Sequence, residues 1–107
     1  MDFAKQQQAA HSLAKRNGFW GVAARNFGEK VALIHSEASE LLECPRAGEF
    51  RLPSRKVPQI CNGAEEMADI VIRVMDLAES EGIDLAEAIQ LKHVFNSTRE
   101  HKHGKRY

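Results

Sequence analysis

Four carboxylates stand in two pairs along the chain, Glu37 with Glu40 and Glu66 with Asp69. Members of each pair are three residues apart, a spacing that puts both side chains on one face of a helix. If the two carrying helices pack antiparallel, all four carboxylates converge. Such clustered negative charge raises its own pKa values unless a cation neutralises it. All-oxygen ligation suits hard divalent cations, magnesium first and manganese as the alternative. Magnesium keeps some of its waters and accepts phosphate oxygens. The pattern therefore suits a site that clamps a triphosphate and lowers the pKa of an attacking water. Each pair alone is a weak signal, because acidic pairs are common on solvated helix faces. Arg73, one turn after Asp69, offers it an ordinary i,i+4 ion pair.

A second group lies nearer the C-terminus. Lys92, Asn96 and Arg99 fall at i, i+4 and i+7, and they continue the line of Leu85, Ala88 and Ile89. An apolar stripe thus turns cationic at its end. Lysine and arginine suit phosphate oxygens, arginine in bidentate fashion. The plainer reading is a helix end whose cations complement the dipole. Phe19 and Trp20, between two glycines, could stack on a base, but a hydrophobic plug at a helix junction is the favoured reading. The five histidines show no paired metal spacing, and His35 is read as a helix-face residue near the carboxylates. Only Glu100 and His103 form a Glu-x-x-His, so a di-iron bundle, which needs two, is excluded. Cys44 and Cys61 read as unpaired thiols, too few for a zinc site.

Four helices must position these groups. The first runs from Asp2, as cap, to about Asn17, where Gly18 stops it. The second runs from about Phe27–Glu29 to about Glu43, with Pro45 forbidding continuation. The third opens on Asn62 as cap, with Glu65 three residues on in a capping-box arrangement, and runs to about Ser80. The fourth opens on Asp84 and ends near Asn96 or Ser97. Nothing alternates with a period of two for long enough to suggest a sheet. In the second helix Val31, Ile34, Ala38 and Leu41 or Leu42 form the apolar stripe, with Glu37 and Glu40 beside it. In the third, Met67, Ile70, Val71, Val74, Met75 and Ala78 cover an arc too wide for one packing partner, which points to burial in an oligomer. Between these helices, residues 44–62 form a long loop holding all three prolines and the basic residues Arg46, Arg51, Arg55 and Lys56. A loop of that length in a small domain is often a functional lid or disordered. Its arginines could close over a triphosphate, but a solvated loop is the favoured reading.

With 107 residues the chain makes one domain with a modest core. Fifteen Lys plus Arg balance fifteen Asp plus Glu, which disfavours a general nucleic-acid binder. No apolar run is long enough to span a bilayer, so no membrane association is expected. Met1–Gln6 lacks the apolar core of a signal peptide, and a cytoplasmic location is expected.

The segment Gly28–Glu40, with its E-x-x-E, resembles the first half of the motif of MazG-like nucleoside triphosphate pyrophosphohydrolases. Glu65-Glu66-Met67-Ala68-Asp69-Ile70-Val71 resembles the second half, E-x-x-D, about 25 residues later. Gly82-Ile83-Asp84-Leu85, Lys92–Arg99 and the basic tail 99–107 are similar to the ending of short, stand-alone, often phage-type members. The resemblance covers roughly Gly28 to Tyr107. It implies an all-α, four-helix MazG-like bundle completed by oligomerisation as a homodimer or homotetramer, with a site that can draw on neighbouring subunits. It further implies magnesium bound by Glu37, Glu40, Glu66 and Asp69, nucleotide phosphates on Lys92, Asn96 and Arg99, and hydrolysis of an NTP or dNTP between the α- and β-phosphates. One departure is Ser36 before Glu37, where the family often has a second glutamate; this leaves the general base open. The mechanism expected is attack by a metal-activated water oriented by one glutamate. The alternative is a catalytically silent helical module that binds nucleotides or a partner protein.

Overall fold

In a computed structural model, which describes residues 2–21 and 27–99, the chain forms four helices and no strand among those residues. They are α1 (Phe3–Arg16), α2 (Phe27–Arg46), α3 (Asn62–Ser80) and α4 (Leu85–Ser97). The tail from Glu100 onward, with His101 and His103, lies outside the described residues. None of the helices is long and apolar enough to cross a membrane.

The helix ends follow local chemistry. Asp2 accepts a hydrogen bond from the Ala4 N–H, and Asp84 accepts one from the Glu87 N–H, satisfying donors that the first turns leave open. Gly18 and Gly82 follow α1 and α3 with φ of 86° and 67°, a left-handed conformation that costs glycine nothing. Two boundaries differ from the sequence expectation. Pro45 lies inside the last turn of α2, which runs on to Arg46. Proline removes one N–H there, and a terminal turn tolerates that loss better than an interior one. The cap of α3 is Cys61, not Asn62, and its side chain makes no capping bond. Asn62 Nδ2 donates instead to the Glu49 carbonyl across the loop, and Glu65 is bonded to Ser54.

Helix α3 is the centre of the molecule, with α1 and α2 both packed on it and α4 leaning lightly on α1. The apolar core is thin. Met75 and Ala78 are the only buried hydrophobic residues among those described. Polar residues are buried beside them. Asp76 Oδ1 lies 2.7 Å from His11 Nδ1 and accepts from Trp20 Nε1 at 2.8 Å, while Lys30 Nζ approaches Asp76 Oδ2 at 3.4 Å. Lys30 also lies 3.6 Å from the centroid of the Trp20 ring. Below this hub, Gln7 donates to Glu79 Oε1 at 3.0 Å and to the Ile83 carbonyl at 2.9 Å. Trp20 is thus a plug whose polar edge is tied to α3.

The segment between α2 and α3 is built, not loose. Ser54 N–H donates to the Ile60 carbonyl and Asn62 N–H to the Leu52 carbonyl, pinching the loop at its base. Phe50 packs its ring against Gly63, where a methyl group would come within 2.4 Å of the ring. Ser54 is 2% exposed; its hydroxyl bonds Glu65 and accepts from the N–H groups of Lys56 and Val57. Ser54→Ala leaves those buried groups unsatisfied. The expected loss is about 1–3 kcal/mol of stability, read by urea unfolding. A change under about 0.5 kcal/mol would show that water serves the loop equally well.

Candidate metal centre

The antiparallel contact of α2 with α3 brings the expected carboxylates together. Glu37 and Glu40 from α2 and Glu66 from α3 each offer an oxygen, and these oxygens lie within 4.8 Å of one another. Asp69 stands one turn after Glu66 and falls outside that group of three. It lines instead the neighbouring cavity between α1 and α3, with Leu13, Phe19, Ile72 and Arg73, a space of about 200 Å³.

Burial is uneven across the cluster. Glu40 is exposed, Glu66 is partly enclosed, and Glu37 is 9% exposed. Arg73 Nε donates to Glu37 Oε1 at 2.9 Å. The i,i+4 geometry offered Arg73 to Asp69; the observed ion pair crosses to α2. Glu37 Oε2 and Glu66 Oε2 are both enclosed and have no hydrogen-bond partner. A buried carboxylate oxygen without a donor is costly, and a cation is one partner that removes the cost. Oxygens within 4.8 Å of one another could all reach a single divalent ion of the kind that takes oxygen ligands at about 2.0–2.6 Å. The donor set is all oxygen and anionic, so a hard divalent ion fits Glu37, Glu40 and Glu66.

The electrostatics agree with the geometry. Glu66 has its pKa raised from 4.5 to about 7, first by burial, then by repulsion from Glu40, to which its neutral form can donate a hydrogen bond, and by Asp69 and Glu37. Asp69 is raised too, by burial and by Glu37 and Glu65, against the opposing pull of Lys56 and Arg73. Lys56 is the loop residue whose charge reaches the site.

A pH dependence follows. The folded chain holds the Glu66 proton more tightly than the unfolded chain does, so between about pH 4.5 and 7 the native state binds more protons. Stability of the metal-free protein therefore falls as pH rises through that window. Divalent-ion affinity rises through the same window, because the ion must displace the proton. Thermal melts and manganese titrations from pH 5 to 8, with and without metal, check both signs. Parallel melting curves at every pH would contradict them.

Lys92 and Asn96 lie one turn apart on α4 and Arg99 just past its C-cap, Thr98, but that helix leans on α1 while the carboxylates sit between α2 and α3. The α4 groove is lined by Leu85, Ala88, Ile89, Lys92, His93 and Asn96, with no acidic residue. Lys92 and Arg99 lie over the Phe95 ring at 4.7 and 5.4 Å, and Asn96 Oδ1 is enclosed without a partner. Sequence reasoning missed Arg73 as the partner of Glu37 and the whole Asp76 hub. A signal was there: Asp76 interrupts the apolar arc of α3, and Gln7 and His11 stand one turn apart opposite it. No family model, curated protein or solved structure matches the chain.

Proposed function

We propose that the protein is a magnesium-dependent nucleoside triphosphate pyrophosphohydrolase of MazG-like type, cutting an NTP or dNTP to the monophosphate and pyrophosphate. One observation carries this reading: three carboxylates from E-x-x-E and E-x-x-D positions meet within 4.8 Å, and two of their enclosed oxygens lack any partner. The ion they would hold, magnesium or in its place manganese, supplies charge neutralisation at the phosphates and activation of the attacking oxygen. Glu37, Glu40 and Glu66 hold it, with Asp69 completing the acidic wall toward the cavity. One carboxylate of the cluster orients a water and takes its proton as the oxygen attacks the α-phosphorus. The bond from that phosphorus to the bridging oxygen breaks, pyrophosphate leaves, and the proton passes on to solvent. Lys92, Asn96 and Arg99 are the phosphate contacts in this reading.

Those three residues stand on α4 and just past its end, apart from the acidic wall, so a second copy of the chain would have to bring them to it, in a homodimer or homotetramer. Exposed apolar side chains on α3 and α4 support such burial: Val71 is 47% exposed, Leu91 62% and Val94 63%. Large apolar side chains open on a single copy are what a partner copy would cover. The test is pyrophosphate release from a panel of NTPs and dNTPs with magnesium and with chelator, on wild type and on Val94→Asp. The expected outcome is metal-dependent release from an oligomeric wild type and none from a monomeric variant. A folded wild type that binds nucleotide without turnover would make the chain a silent nucleotide-binding module.

A further inference from the structure

Arg73 occupies an unusual place in the acidic wall. Its Nε donates to Glu37 Oε1 at 2.9 Å, its guanidinium carbon lies 5.1 Å from the centroid of the Phe19 ring, and it lines the cavity between α1 and α3 beside Asp69. The Glu37 side chain is 11% exposed and that of Arg73 27%, so the pair is shielded from water. The other Glu37 oxygen, Oε2, is enclosed with no partner. One carboxylate therefore presents one oxygen taken by a resident cation and one oxygen waiting for a donor or an ion.

We propose that Arg73 is a resident counter-cation that competes with the divalent ion for Glu37 and, once displaced, serves the incoming phosphates as a donor. This rests on the metal-site reading above and adds a residue to it. Two cations cannot both sit on one shielded carboxylate without repulsion, so Arg73 lowers the affinity of the empty protein for metal alone. A triphosphate supplies the anionic partner that Arg73 loses, in the bidentate manner guanidinium favours. Metal and nucleotide consequently load together, each making the other's binding tighter, as linkage requires. Phe19 holds the guanidinium plane at the cavity side of the wall, where it stays when Glu37 turns to the ion.

The experiment is a manganese titration of the nucleotide-free oligomer, followed by electron paramagnetic resonance, on wild type, Arg73→Gln and Arg73→Lys, with circular dichroism to verify folding. Arg73→Gln should bind manganese about tenfold more tightly than wild type, and Arg73→Lys, which keeps the charge, should stay within about twofold. A non-hydrolysable triphosphate analogue should tighten manganese binding in wild type and much less in Arg73→Gln. Equal or weaker manganese binding by folded Arg73→Gln would overturn the proposal while leaving the metal site standing. Absence of manganese binding in every form would overturn both. A measurement on wild type alone guards against a variant that fails to fold. The Arg73 Nε–H resonance should shift as magnesium saturates the site, and a resonance that stays put in the metal-loaded protein would overturn the exchange.

Discussion

Glu66→Gln should abolish magnesium-dependent pyrophosphate release, by at least about a hundredfold, while leaving the helices folded. Glu66 is the one member of the cluster contributed by α3, and in its ionised form its enclosed Oε2 has no hydrogen-bond partner. Loss of groups that merely support a metal ligand costs 10–100-fold, and loss of a ligand should cost at least as much. The substitution also removes a strained charge. Because Glu66 is pushed up to about 7 by burial and its acidic neighbours, an amide in its place relieves repulsion in the metal-free protein. The variant should therefore melt at or above the wild-type temperature without metal and lose the rise that magnesium gives wild type. Activity within tenfold of wild type would remove Glu66 from the site. A fall in metal-free stability would make it a structural residue.

Asp76→Ala should be the most damaging single change to stability. Asp76 is 6% exposed and gathers His11, Trp20 and Lys30 from three separate segments. Removing it leaves Lys30, itself 5% exposed, with a Trp20 ring and the Phe19 carbonyl in place of a counter-ion. Breaking a buried pair from one side costs about 3–5 kcal/mol. For a domain of this size that is a fall in Tm of about 12 °C or more. Asp76→Asn keeps an oxygen for Trp20 and should lose less. Pairing Asp76→Asn with Lys30→Met should recover part of the loss, because removing both charges leaves neither stranded. A melt of Asp76→Ala within a few degrees of wild type would mean that water enters and solvates Lys30.

Which parts of this could be read from residues alone follows from how local each signal is. Caps act over three or four residues, so Asp2 and Asp84 were legible, and so was the stop at Gly18. Helical spacing fixes which side chains share a face, so the pairing of Glu37 with Glu40 was legible, and an antiparallel contact was the natural way to add Glu66. Asn62 misled because its side chain had a second option, the Glu49 carbonyl thirteen residues back, which no local rule weighs. Glu65 likewise looked like a capping-box residue and is claimed by Ser54 from the loop. Arg73 offered a local partner, Asp69, and took a distant one, Glu37, because α2 and α3 meet at that turn. The order inside the loop and the Asp76 hub depend on contacts between elements far apart in the chain. Such contacts leave only an indirect trace, a charged residue set among apolar ones. The wide apolar arc of α3 and the stripe of α4 were legible as faces; what covers them is not written in the local spacing of either helix.

The most direct test is to follow one deoxynucleoside triphosphate by phosphorus NMR with the folded protein and magnesium. The three triphosphate resonances should give way to nucleoside monophosphate and pyrophosphate in equal amounts, with no reaction after chelation. Appearance of nucleoside diphosphate and inorganic phosphate, or an unchanged spectrum from a folded, metal-loaded protein, would contradict it.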